Sequence, residues 1–303
     1  MINFIQKEIA FLNGATIESI NKGFSSANVF KVCKDKKEYI LKIYKDSIGD
    51  KKSAVEKYIC ANQPIPKVIE YGRTTNFGFY IIMEYIKSGT LEELYDAISE
   101  DDIFNKAKIL GEKQKILNEK YMRHEENFFE EFRRNELEAC DRTINMINQY
   151  KNKLPPIDVL KIKEDMKRLI NYFKNDKYFF IHEDLKAANI MVSDELLMID
   201  YEETDLTYLP ISLRYEMYHI MNNDNKSSKV RAFIRGIMEG IDEEHLNDNN
   251  LSKKLAYGYL KSAFVNITKY YIRNNKQEEA YKQITSINKV YEKCKNIEEL
   301  IQI

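Results

Sequence analysis

Asp184, Asn189 and Asp200 set two acids and an amide close together, with Asn189 five residues after Asp184 and Asp200 eleven after Asn189. An apolar run at 178–181 leads to His182 and Asp184, a polar turn falls at Ser193-Asp194-Glu195, and a second apolar run at 196–199 ends in Asp200. The pattern reads as strand, turn, strand, with carboxylates gathered at one end. Two carboxylates and an amide beside an apolar floor suit a hard, oxygen-seeking cation such as Mg²⁺. One carboxylate is left to orient a hydroxyl. The bland alternative is a surface hairpin with a polar tip. His182, two residues before Asp184, reads as a brace of the loop, not as a proton carrier.

Lys42 lies between Leu41 and Ile43, so on a strand its side chain points opposite to theirs. A cation there serves either a solvated face or a cleft that takes phosphates. The preceding loop, 23–28, is small and polar, and its backbone N–H groups with the hydroxyls of Ser25 and Ser26 can cover phosphates. Alone it is an ordinary turn. Together with the later carboxylates, loop and lysine favour phosphate binding.

The elements that position these residues change character along the chain. Strands are expected at 16–20, 29–33, 38–44, 67–72 and 79–85. A helix at 51–61 carries Ala54, Val55, Tyr58 and Ile59 on one face, with Asp50 as N-cap and Pro64-Ile65-Pro66 as its stop. Beyond Ser88-Gly89 the periodicity is helical, at 91–99, 103–117, 127–150 and 159–173, and again after Tyr208, with an acidic, Asn-rich loop near 241–250. Glu92, Glu93, Asp96, Glu100, Asp101 and Asp102 form an acidic cluster. It reads as a solvated helix N-terminus or as a lid that attracts a cationic acceptor.

His-x-Asp-x4-Asn followed by a strand and Asp200 resembles the catalytic loop and metal-binding aspartate of the protein-kinase-like superfamily. Residues 23–30, Ile40-Leu41-Lys42, Pro64-Ile65-Pro66-Lys67-Val68 and Ile81-Ile82-Met83-Glu84 look like the small lobe of aminoglycoside phosphotransferases and their choline-kinase relatives. The resemblance covers about 20–90 and 178–205 and implies an α+β, bilobal protein-kinase-like fold. A small antiparallel-sheet lobe with one helix, residues 1–86, would bind nucleotide. A larger, mainly helical lobe, 87–303, would hold the catalytic loop and acceptor site.

By the same resemblance, Lys42 grips the α- and β-phosphates of ATP, and the backbone from Glu84 to Ile86 binds adenine. Asn189 and Asp200 hold Mg²⁺, and Asp184 is the base. Lys186 lies where Ser/Thr protein kinases place a lysine against the γ-phosphate. The acid that pairs with Lys42 is Asp50 by spacing or Glu56 by residue type. Asp200-Tyr201-Glu202 replaces Asp-Phe-Gly and looks like the choline-kinase side. The family usually has an aspartate a few residues after a proline that follows the metal aspartate, and 210–214 has none. The expected function is transfer of the γ-phosphate of ATP to a hydroxyl of a small molecule, an amino sugar or amino alcohol. The alternatives are a Ser/Thr protein-kinase-like enzyme and a non-catalytic nucleotide-binding relative of the spore-coat type. Lys42, Asp184, Asn189 and Asp200 must share one site for the expectation to hold.

Composition sets the outer bounds. The chain has 303 residues, 44% hydrophobic and 31% charged, which is enough for one large bilobal domain or two ordinary ones. A net charge of −1 gives no global basis for nucleic-acid or membrane binding. Cys33, Cys60, Cys140 and Cys294 are scattered and form no C-x-x-C pair. Lys7 and Glu8 interrupt the apolar N-terminus, and no stretch reaches 18 apolar residues, so a cytoplasmic location is expected.

Overall fold

The structure, a computed structural model, describes residues 2–20, 27–44 and 51–303. Its contacts form two compact units, Met1–Glu93 with Ala188–Glu203, and Leu94–Ala187 with Thr204–Ile303.

In the first unit, α1 (Ile2–Glu8) and a 3-10 turn at Ala10–Leu12 precede the sheet, and neither was read from the sequence. Strands β1 (Thr16–Ser19), β2 (Asn28–Lys34), β3 (Lys37–Tyr44), β4 (Val68–Thr74) and β5 (Gly78–Glu84) pair antiparallel in the order β1-β2-β3-β5-β4. Asp35 and Lys36 both take positive φ, 50° and 62°, which matches the twist of a two-residue hairpin between β2 and β3. Phe30, Leu41 and Ile82 are cross-strand partners and share one sheet face with Val32, Ile43 and Tyr80, where α1 adds Ile5. Lys42, one residue out of step with Leu41, pairs in register with Val29 and Ile81 and so points to the other face.

Helix α2 (Lys51–Cys60) buries Lys51, Ala54, Val55 and Tyr58. Ile59, expected on that stripe, is instead exposed, and Lys51 heads it. Asp50, expected as the N-cap, lies outside the described residues. The expected helix at 91–99 is shorter, with α3 (Leu91–Leu94) followed by a 3-10 turn at Tyr95–Ala97.

The single hairpin expected around Asp184 resolves into four strands: β6 (Phe179–His182), β7 (Ile190–Val192), β8 (Leu196–Met198) and β9 (Thr204–Thr207). β7 and β8 make the hairpin across Ser193-Asp194-Glu195, within the first unit. β6 pairs with β9, in the second unit. β9 reads Thr-Asp-Leu-Thr, too polar to register as an apolar run.

The second unit is helical: α4 (Glu100–Tyr121), α5 (Phe128–Gln149), α6 (Val159–Ile170), α7 (Leu209–Ser212), α8 (Met217–Asn222), α9 (Ser227–Asp242), α10 (Leu251–Leu260), α11 (Lys269–Arg273) and α12 (Gln277–Lys293). A π-helix, Lys261–Thr268, links α10 to α11. Ser99 caps α4 by accepting from the Asp102 N–H at 3.1 Å, and Glu100, Asp101 and Asp102 fill the first turn. These acids therefore complement a helix N-terminus. Helices α4 and α9 meet through Gly111, Gly236 and Gly240, where a Cβ would strike the facing backbone. Phe132, Phe173, Tyr208 and Tyr257 pack ring to ring in the core beside α5 and α10. The loop expected at 241–250 contains a 3-10 helix, Glu243–Asn247. Among the described residues, no helix is long and apolar enough to cross a membrane.

Candidate active site

In the first unit the β7–β8 ladder fixes the spacing of Asn189 and Asp200. Ile190 pairs with Met198, and the next rung outward is the Ile199 N–H donating to the Asn189 carbonyl at 2.8 Å. Asp200 follows directly. It adopts φ 57°, a left-handed conformation that aspartate tolerates better than most residues and that recurs at functional sites. The Glu203 N–H closes back on the Asp200 carbonyl at 3.1 Å. Tyr201 is fully buried and stacks on Tyr58 of α2, ring centroids 4.9 Å apart. Burial pushes its hydroxyl pKa up.

Lys42 is only 5% exposed. Its ammonium pairs with Asp200 and lies 3.3 Å from Glu202 Oε1. Burial acts to lower the pKa of Lys42, but the Glu202 and Asp200 carboxylates outweigh it and hold the amine above its ordinary value. Glu202 was noted in the sequence only as part of Asp-Tyr-Glu. Glu56, half-buried on α2, pairs with Lys52 at 3.6 Å and not with Lys42. Asp50, Ser25 and Ser26 lie outside the described residues. Glu84 ends β5, its N–H bonded to the Lys67 carbonyl, and the Tyr85 N–H reaches the Glu38 carbonyl, with Ile86 next.

Among the described residues, no group of three or more His, Cys, Asp or Glu side chains is arranged to hold a metal ion. The Asn189 and Asp200 side chains nonetheless offer the oxygen donors that a hard divalent cation takes, and both lie at the end of the β7–β8 ladder. Glu202 Oε2, buried and without a hydrogen-bond partner among the described residues, adds anionic oxygen nearby. This donor set fits Mg²⁺.

In the second unit, β6 is buried throughout and is held from α4, where Asn118 Oδ1 accepts from the Phe180 N–H and Gln114 Oε1 from the His182 N–H. His182 Nδ1 accepts from the Asp184 N–H at 2.9 Å, which makes it a brace for the loop. Lys186 donates to Asp184 Oδ2 at 2.7 Å, and Arg214 Nη2 lies 3.3 Å from Oδ1. Both cations lie on the ring of Tyr215, Lys186 at 4.6 Å and Arg214 at 4.7 Å from its centroid. Glu216, buried, accepts from the Ala187 N–H at 2.8 Å through Oε1 and from the Tyr95 hydroxyl at 3.0 Å through Oε2. Glu216 thus places a buried acid on the loop two residues beyond 210–214. Arg214 and Glu216 were both missed from the sequence, although Glu216 is the first acid after Pro210.

The first unit thus carries Lys42, Asn189, Asp200 and Glu202, and the second carries Asp184, Lys186, Arg214 and Glu216. An antiparallel-sheet lobe and a helical lobe with these residues define the α+β, bilobal protein-kinase-like fold. The phosphotransferase enzyme family matches over residues 16–209, and the chain belongs to it. Among solved structures, spectinomycin phosphotransferase APH(9)-Ia, in complex with ADP and spectinomycin, is 14% identical, with a TM-score of 0.61 over 97% of this chain and 96% of that one. Plasmodium vivax ethanolamine kinase is 15% identical, with a TM-score of 0.59 over 95% of this chain and 84% of that one. A GDP complex of an aminoglycoside 2'-phosphotransferase-IIIa variant is 12% identical, with a TM-score of 0.64 over 96% of each chain. At these identities the similarity is one of fold. No curated protein matches this chain.

Proposed function

We propose that this protein transfers the γ-phosphoryl group of ATP to a hydroxyl of a small molecule. The observation that supports this most is the meeting of Lys42 with Asp200, 158 positions apart in sequence, on a buried sheet face. Asp184 and Asn189 are five residues apart, at most about 18 Å of extended chain.

Phosphoryl transfer asks mainly for alignment and charge cancellation. Lys42 neutralises the nucleotide phosphates, and the loop with Ser25 and Ser26 covers them. The backbone from Glu84 to Ile86 takes adenine. Asn189 and Asp200 would hold Mg²⁺, which would supply positive charge to the phosphates. The acceptor oxygen forms a bond to the γ-phosphorus, the bond from that phosphorus to the bridging oxygen breaks, and ADP leaves. The hydroxyl proton passes to Asp184, with Lys186 moving aside from Oδ2 toward the phosphate.

An amino sugar or amino alcohol is the acceptor class we favour, in keeping with the spectinomycin and ethanolamine enzymes of the same fold. Lys186 beside Asp184 supports a protein-substrate reading as the second choice. The Glu216 brace weakens the case for a non-catalytic relative. ADP release with Mg²⁺, measured across amino alcohols, amino sugars and a generic protein substrate, separates these readings. Asp184→Asn should lose at least ~10²-fold in kcat, and chelation of the metal should abolish turnover. Near-wild-type turnover by Asp184→Asn would refute the assignment of the base.

A further inference from the structure

A buried ammonium needs a fixed counter-charge. In protein kinases that acid comes from the helix after the lysine strand. Here α2 does not present one. Its buried stripe is Lys51, Ala54, Val55 and Tyr58, at i, i+3, i+4 and i+7. Glu56 lies about 150° round the helix from the centre of that stripe. What α2 turns inward is a cation. Lys51 Nζ donates to the Glu202 carbonyl at 3.2 Å and pairs with the Glu203 carboxylate. Glu202 is 6% exposed, and its Oε1 is the oxygen beside Lys42.

We propose that Glu202 is the positioning residue for Lys42, in the part a helical acid would otherwise play, and that Lys51 is the strut that seats it. The proposal rests on the assignment of Lys42 to the nucleotide phosphates. The usual polarity is reversed, with the acid on the segment that carries Asp200 and the cation on α2. Both anions at Lys42 then lie two residues apart on one turn, pinned by Tyr201 against Tyr58. Were Asp200 engaged by a metal, Glu202 would still hold Lys42 in place. A disturbance of α2 reaches Lys42 through Lys51 and Glu202, not through an acid of its own.

The test compares Glu202→Gln, Lys51→Met, Glu56→Gln and Asp50→Asn. Two readouts are taken: the rate at which Lys42 is acylated by an N-hydroxysuccinimide ester at one pH, by mass spectrometry, and the calorimetric affinity for ADP and ATP. Buried Lys254, in the second unit and paired with Asp176 and Asp248, is the internal reference for unfolding. Glu202→Gln should speed acylation of Lys42 severalfold without changing that of Lys254. It should weaken nucleotide binding by about tenfold, as loss of a charged partner does, and raise the KM for ATP while leaving that for the acceptor unchanged. Lys51→Met should act in the same direction, more weakly, and Glu56→Gln should do neither. Wild-type acylation of Lys42 in Glu202→Gln, or the acceleration appearing in Asp50→Asn instead, would overturn the proposal. If the wild-type protein binds no ATP, the functional proposal fails, and the acylation rates still decide whether Glu202 holds Lys42.

Discussion

Arg214 places Nη2 3.3 Å from Asp184 Oδ1 while its Nη1 donates to the carbonyls of Glu183 and Ile211, at 2.5 and 3.0 Å. One planar group thus ties the side chain of the candidate base to the backbone of its own loop and to α7. Burial acts against the charge on Arg214, but Asp184 and its neighbours more than restore it, so the pKa lies above the ordinary arginine value. The opposite oxygen, Oδ2, holds Lys186, the more exposed of the two cations. The fixed partner is therefore Arg214 and the exchangeable one Lys186.

Replacing Arg214 by methionine should lower kcat by about 10- to 100-fold, since the carboxylate loses its orientation. The KM for ATP should hold, because Lys42, Asn189 and Asp200, the residues proposed to serve the nucleotide, belong to the other unit. Arg214→Lys should recover little, as a point charge cannot serve two carbonyls and a carboxylate together. Steady-state kinetics with ATP varied at fixed acceptor, and the reverse, would check this, and a lysine variant as fast as wild type would count against it.

Glu216 gives a prediction about stability and catalysis together. Its carboxylate satisfies a buried amide and a buried hydroxyl. Glu216→Leu removes the carboxylate that both donate to, at about 1–3 kcal/mol each, and loosens the loop at Ala187. Glu216→Gln should be much milder, because the amide oxygen can still accept from Ala187 and the amide nitrogen can donate to Tyr95. Thermal unfolding and kcat should fall together in the leucine variant and stay close to wild type in the glutamine one.

The residues legible in the sequence are those fixed by local spacing. Asn189 and Asp200 lie together because a three-residue turn and three rungs of ladder separate them, and an apolar–polar pattern reports a ladder of that length directly. The five strands of the sheet and the helix among them followed in the same way. Glu202, Arg214 and Glu216 were missed because each acts on a residue distant in sequence or through a backbone group, which leaves no periodic trace. Lys51 was read as the end of a helix and not as part of its buried face, since a lysine ordinarily lies outside. β9 was missed because its partner, β6, supplies the apolar character and β9 the polar.

Gly240 marks a close helix crossing that a single methyl group tests. A Cβ there would lie 2.2 Å from the Lys108 carbonyl oxygen and 2.7 Å from the Glu112 nitrogen, both backbone atoms of α4 that cannot swing away. Gly240→Ala should destabilise the protein by about 1–3 kcal/mol through forced separation of α4 and α9. Ile109→Ala, on the exposed side of α4, should shift stability by no more than about 0.5 kcal/mol. Chemical denaturation of both variants gives the comparison, and equal effects would show that the crossing is not tight.

His245 gives the pH dependence a defined sign. It packs edge-on to Phe179, and its Nε2 is buried without a hydrogen-bond partner among the described residues. Burial lowers its pKa below the ordinary value of 6.5, and Lys254 acts in the same direction, against the opposing pull of Asp242, Asp176 and Asp248. The folded protein therefore takes up this proton later than the unfolded chain does as the pH falls. Stability from this residue is complete above pH 6.5 and is lost as the pH falls below it. Asp242 and Asp248, both with lowered pKa values, add a separate loss below their ordinary value of 3.8. Between about pH 7.5 and about pH 5 the Tm of the wild-type protein should therefore fall more steeply than that of His245→Phe, which keeps the ring packing and cannot be protonated. Parallel curves for the two proteins over that range would show that His245 has no part in acid sensitivity.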